Sequence, residues 1–268
     1  MSETLQAFVL GVIEGLTEFL PISSTGHMVI AMPLLGVDAD APPWPVFLYF
    51  IQIGAIVAVM WHFRRSIWRQ LKARPSAGLR SHLLVKLAVA MIPGAIVGLT
   101  LDDFMEAHLE DPLPVAIALA AGAGVMVLVE RLAGRRPPMR IDDVGLSQAL
   151  WVGLAQCIAV IPGASRAMVT IMGGIACGLP AAIAAEFSFY LAIPTLCGAG
   201  ALRIFKHRAD ITVESAGLLG IGFLVSFVVA LAVVSIFMRY IQTRPLWPFA
   251  IYRVLLGAAV LAWIWGGR

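Results

Sequence analysis

Six stretches of this chain, residues 47–63, 83–101, 113–129, 187–202, 215–237 and 248–265, are apolar over nearly their whole length. A helix that spans a bilayer needs about 20 largely apolar residues, so each stretch predicts a membrane-crossing helix. Composition agrees. Of 268 residues, 60% are hydrophobic and 13% charged, against about 25% charged in soluble domains. There are too few polar side chains to cover a water-facing surface, which excludes soluble and disordered classes. The runs are continuous instead of alternating every second residue, which excludes an outer-membrane barrel. The net charge of +3 does not point to nucleic acid. The bases sit in short clusters between apolar runs, as in the cytoplasmic loops of membrane proteins. Cys157, Cys177 and Cys197 lie in apolar runs without CxxC or Cys/His metal spacing and are expected as small buried thiols. No cleavable signal peptide is expected, because the first apolar stretch lacks a basic flank and holds two glutamates.

Two further apolar stretches differ in kind. One runs from about 5 to 35 and is broken at Pro21; the other runs from about 144 to 182 and is broken at Pro162-Gly163. A broken helix at membrane depth must be buried in protein or line a cavity, because its freed backbone groups need partners. Both are expected as re-entrant helical hairpins. They resemble each other: Pro21 aligns with Pro162 and Ser24 with Ser165, and after one gap Gly11 aligns with Gly153 and Glu14 with Gln156. The expected fold is an all-α polytopic membrane protein of two repeats, 1–132 and 143–268, joined by a cytoplasmic linker at 133–142. Each repeat is a re-entrant hairpin plus three transmembrane helices. Three spans per copy turn the second copy over, giving an inverted-topology repeat. With both termini outside, the inside loops 64–82, 130–143 and 238–247 hold twelve Lys or Arg and the outside segments four, which fits the positive-inside rule. The cluster Arg203, Lys206 and Arg208 runs against it, and 102–111 is expected as an acidic outside loop. The hairpin tips then meet near mid-membrane.

Glu14 and Glu18 are four residues apart and share a helix face. A charge at the bilayer centre costs about 2.5–3.5 kcal/mol on insertion scales, so such a pair implies a compensating cation or ligand, or a polar seam between helices. Carboxylates suit hard ions such as Mg²⁺ and Ca²⁺, which also bind phosphate oxygens; an acid/base pair is the other functional reading. Pro21 stops the helix, and Ser23, Ser24 and Thr25 suit the cap of the next one, whose free N–H groups would bind an anion. His27 follows as a candidate base, acid or nucleophile. In the second hairpin, Ser165-Arg166 repeats the break, and Thr170 lies one turn beyond. Arg166 matches phosphate with two parallel hydrogen bonds, or pairs structurally with Glu14 or Glu18. Two carboxylates, hydroxyls, a histidine and an arginine converging from two hairpins suit a phosphorylated lipid and a divalent cation.

The run Glu14-Gly15-Leu16-Thr17-Glu18-Phe19-Leu20-Pro21-Ile22-Ser23-Ser24-Thr25-Gly26-His27 resembles the undecaprenyl-diphosphatase family of the bacitracin-resistance type. So, in order, do Ile51-Gln52-Ile53-Gly54-Ala55-Ile56, Met91-Ile92-Pro93-Gly94-Ala95, Pro162-Gly163-Ala164-Ser165-Arg166, Glu186-Phe187-Ser188-Phe189 and Pro248-Phe249-Ala250-Ile251-Tyr252-Arg253. The resemblance implies hydrolysis of undecaprenyl diphosphate to the monophosphate and phosphate, which recycles the lipid carrier of peptidoglycan synthesis at the outer, periplasmic side of a bacterial plasma membrane. It implies Mg²⁺ or Ca²⁺ held by Glu14 and Glu18, catalysis by Glu18, Ser24, His27 and Arg166, and substrate binding by Ser23, Thr25, Gly26, Ser165 and Thr170. Ser24 and His27 compete as nucleophile. The partners expected are a polyprenyl diphosphate and the bilayer, with no nucleic acid and with a homodimer as a further candidate. This chain departs from the family after the arginine, where Ala167-Met168 replaces the usual Ser-Gly. The competing function is a flippase or transporter of polyprenyl phosphate, since broken helices in inverted repeats are also a transporter layout.

Overall fold

The computed structural model describes residues 1–72, 82–109, 111–134, 136–206 and 208–266, with 102–109 and 209 by main chain alone. Arg74, Arg80, Arg135 and Arg268, counted above among the bases, and Glu110 of the acidic segment lie outside the described residues. The chain forms eleven α-helices among these residues, with no strand: α1 Glu3–Thr17, α2 Ser24–Leu34, α3 Trp44–His62, α4 Arg64–Lys72, α5 Leu83–Leu109, α6 Pro112–Leu132, α7 Leu146–Gln156, α8 Arg166–Ala176, α9 Ala181–Lys206, α10 Val213–Tyr240 and α11 Trp247–Gly266. Six of them, α3, α5, α6, α9, α10 and α11, are long and apolar enough to cross a membrane. The protein is a multi-pass membrane protein.

Several boundaries differ from the sequence reading. The segment 102–111 is not a loop over most of its length, because α5 continues to Leu109. Hydropathy falls at Asp102-Asp103, but a helix is propagated by backbone hydrogen bonds and needs no apolar side chains to continue. The segment after Phe63 begins with a helix, α4, that carries Arg64, Arg65, Arg69 and Lys72. The three thiols are free but only half-buried.

Both halves follow one order, a short helix, a break, a second short helix and three long helices, with α4 added between the first two long helices of the first half. The breaks span residues 18–23 and 157–165, the latter starting with a single 3₁₀ turn, Cys157–Val160. Packing interleaves the halves. The first helix of each half crosses the second long helix of the other, α1 on α10 and α7 on α5. The second short helices likewise exchange partners, α2 against α11 and α8 against α6. Small residues make these crossings close, as lipid-embedded helices require. A Cβ on Gly11 would lie 2.8 Å from the Gly222 carbonyl oxygen, and one on Gly153 would lie 2.3 Å from that of Ala90. Gly153→Ala is therefore expected to lower stability by about 1–3 kcal/mol through overpacking. Thermal unfolding in detergent reads this; an unchanged midpoint would contradict the close crossing.

Both α2 and α8 start at a serine with left-handed backbone, Ser23 at φ 72° and Ser165 at φ 71°. Each serine Oγ accepts the N–H three residues on, Gly26 at 3.2 Å and Met168 at 3.3 Å. Left-handed backbone at a non-glycine residue costs on the order of 1–3 kcal/mol and persists only where its surroundings dictate it. The caps pair Ser23, not Ser24, with Ser165. In that register Gly11 meets Gly153 and Glu14 meets Gln156 with no gap, and Pro21 falls on Gly163. Helix α8 is buried on all sides from Ala167 to Ile175, as expected of a helix shielded from lipid by its neighbours.

Candidate active site

Glu18 opens the first break, and Ser24, the first residue of α2, follows its end. Glu18 continues the α1 spiral, its N–H donating to the Glu14 carbonyl at 2.9 Å, so the two carboxylates lie one turn apart on the same face. Both are buried, at 4% and 7% exposure. The chain then reverses through Pro21 into the Ser23 cap, which brings the Ser24 hydroxyl back to donate to Glu18 Oε2 at 2.7 Å. From the second break, Arg166 Nη2 donates to Glu18 Oε1 at 3.0 Å. One carboxylate thus receives a hydroxyl from its own break and a guanidinium from residues 148 positions away in sequence.

The rest of the guanidinium is held from α9. Arg166 Nη1 donates to the Ser188 carbonyl at 3.3 Å and to its hydroxyl at 3.5 Å. Thr170 shares a 2.6 Å hydrogen bond with that hydroxyl and donates to the Arg166 carbonyl at 2.7 Å. Phe19 lies beneath, its ring centroid 5.3 Å from Arg166 Cζ. Arg166 Nε–H is buried and hydrogen-bonds to no described residue, so one donor of the fork is spare. The carboxylate of Glu14 likewise hydrogen-bonds to no described residue.

His27 is turned away from this cluster. Its Nδ1 lies 2.7 Å from the Ser23 carbonyl, which can only accept, so Nδ1 carries the proton there. Nε2 then accepts from the Tyr252 hydroxyl at 2.8 Å, and the two rings stack. His27 is therefore no partner of the Ser24 hydroxyl; Glu18 fills that position. Thr25 is exposed and outside the cluster, while Gly26 is buried and packs toward Leu119. Ser23 and Ser165 spend their hydroxyls as caps. Glu186 lies outside this cluster, accepting from Tyr190 at 3.1 Å. Ala167 is fully buried, and Met168 faces Gly122 of α6, so the departure after Arg166 fills the core.

Sequence reasoning passed over Ser188, which holds Arg166, and Tyr252, which holds His27, and over the buried Arg253. Ser188 gave no signal beyond its place in a short motif, because serine is common in helices. Tyr252 and Arg253 sit in the last apolar run, where Arg253 was legible as the one base deep inside it.

Residues 7–259 match the family described as Bacitracin resistance protein BacA. The chain belongs to that family. It is 42% identical over 272 aligned positions to an undecaprenyl-diphosphatase of Novosphingobium aromaticivorans, covering 98% of this chain and 99% of the relative. It is 43% identical to undecaprenyl-diphosphatase 2 of Rhodospirillum rubrum, covering 98% and 96%, and 40% identical to an undecaprenyl-diphosphatase of Caldanaerobacter subterraneus, covering 97% and 96%. Within this BacA-family chain, the Glu18–Ser24–Arg166 cluster is the place where a hydroxyl, a carboxylate and a guanidinium meet.

Proposed function

We propose that the chain hydrolyses undecaprenyl diphosphate to undecaprenyl phosphate and inorganic phosphate, recycling the lipid carrier of peptidoglycan synthesis and so giving bacitracin resistance. The observation that carries this reading is a buried carboxylate that accepts a serine hydroxyl on one oxygen and an arginine on the other, beside a spare guanidinium N–H. The relatives' names favour hydrolysis over transport, the other use to which such broken helices are put.

Ser24 Oγ attacks the terminal phosphorus and Glu18 takes its proton. The new Oγ–P bond forms as the bond from phosphorus to the bridging oxygen breaks, and undecaprenyl phosphate leaves. Water then attacks the phosphoserine. Ser24 Oγ departs with the proton held by Glu18, and phosphate is released. Arg166 stabilises the charge spread over the transferring oxygens, the main source of catalysis in such reactions. His27 holds the Ser23 turn through its Nδ1–H.

Glu14 and Glu18 would hold Mg²⁺ or Ca²⁺. The fit is that of a cation shared with substrate: among the described residues no group of three or more His, Cys, Asp or Glu side chains could hold a metal ion, and Mg²⁺ in phosphoryl-transfer sites needs only one or two carboxylates plus the phosphates. When bound, the cation neutralises charge on the diphosphate.

The exchanged packing of the halves and their odd number of spans support two inverted repeats with re-entrant hairpins. The setting we propose is the bacterial plasma membrane, with the site open to the outer side. Glu18, Ser24 and Arg166 come from a single chain, so either a monomer or a homodimer would carry complete sites.

Phosphate release from undecaprenyl diphosphate by the purified protein in detergent tests this reading. Release is expected to stop when a chelator is added and to return with excess Mg²⁺ or Ca²⁺. No release, with headgroup-dependent movement of lipid across vesicles, would overturn it in favour of transport.

A further inference from the structure

Arg253 on α11 is fully buried, with 0% of its surface exposed, and no described carboxylate pairs with it. Its guanidinium is satisfied by main-chain carbonyls alone. Nε donates to Leu119 at 3.2 Å, Nη1 to Pro21 at 3.4 Å, and Nη2 to Ala118 and Gly163, each at 3.1 Å. Two of these acceptors, Pro21 and Gly163, are equivalent positions in the two helix breaks. The other two lie on α6, where Gly122 leaves the space: a Cβ there would stand 2.2 Å from Nη2.

We infer that Arg253 is a positioning residue, which fixes the two breaks to each other and thereby sets the geometry of Glu18, Ser24 and Arg166. A break frees carbonyls that lipid cannot satisfy. One planar fork with five donors can serve carbonyls from three segments at once, which an ammonium on a flexible stem cannot reproduce. Pro21 stands midway between Glu18 and Ser24, and Gly163 stands three residues before Arg166. The 3.0 Å bond from Arg166 to Glu18 therefore spans the same joint that Arg253 ties from the other side. Arg253 touches none of the three reacting side chains. Its effect on catalysis passes through the backbone of the breaks, and it rests on the hydrolase reading above.

The test uses Arg253→Lys and, in case that variant does not fold, Gly122→Ala, which leaves the guanidinium in place but denies it its seat. For folded protein, kcat for phosphate release is expected to fall about 10²-fold, the loss that a misplacement of about 1 Å can bring, while KM changes less than about threefold. Spin labels at the exposed positions Leu16, two residues before the first break, and Ile161, within the second, in protein with its three cysteines replaced, report the distance between the two hairpins. The distribution is expected to broaden in both variants. A distribution as narrow as in the parent, or a rise in KM at unchanged kcat, would overturn the inference. If the parent releases no phosphate yet the distribution broadens, the joint stands and the hydrolase reading falls.

Discussion

Replacing Glu18 with glutamine is expected to lower kcat for phosphate release by about 10³-fold, within the range of removing a positioned base from a proton transfer. Glutamine keeps the shape and an acceptor oxygen, but it cannot take the Ser24 proton. Glu18→Ala should go further, because it removes the partner of a cation that is itself only 10% exposed. Breaking a buried pair in this way destabilises by about 3–5 kcal/mol. The two variants separate chemistry from folding. Glu18→Gln, which keeps an acceptor for Arg166 and Ser24, should retain more of its unfolding midpoint in detergent than Glu18→Ala but almost none of its turnover, whereas Glu18→Ala should lose both. Substantial turnover in Glu18→Gln would move the base elsewhere.

Arg166→Lys is expected to lower kcat/KM by about 10²–10³-fold, the scale of losing one preorganised donor to developing charge. The positive charge is kept, so the loss isolates geometry. Lysine can reach Glu18, but it cannot also meet Ser188 and offer a spare N–H to a phosphate oxygen. If the arginine were only a structural partner of Glu18, lysine would serve nearly as well, and kcat/KM would stay within a fewfold of the parent.

The six spans were legible in the sequence because lipid leaves few alternatives to a long apolar helix. The charged residues of the candidate site were legible for the same reason: Glu14, Glu18 and Arg166 stand out where a charge is costly. Helix ends were less so. α5 runs on through Asp102 and Asp103 to Leu109, since what stops a helix is backbone geometry and capping, while hydropathy marks only where lipid contact ends. The internal alignment slipped by one residue because it was anchored on Pro21 and Pro162. The left-handed caps at Ser23 and Ser165 set the register instead, and backbone conformation at a serine leaves no mark in composition. The directions of Ser24 and His27 were not legible either. Both follow the same proline, but the turn aims one at Glu18 and the other at Tyr252. Neutral partners such as Ser188 become visible only once Arg166 is seen to lie against them.

Whether Ser24 is the attacking group is read from the residue that carries phosphate during turnover. Enzyme quenched while processing undecaprenyl diphosphate would be split between acid, which preserves phosphoserine, and base, which preserves phosphohistidine, and its peptides analysed by mass spectrometry. Phosphate is expected on Ser24 in the acid-quenched sample and is expected to be absent in Ser24→Ala. Phosphate on His27 in the base-quenched sample, or turnover that persists in Ser24→Ala, would contradict attack by Ser24.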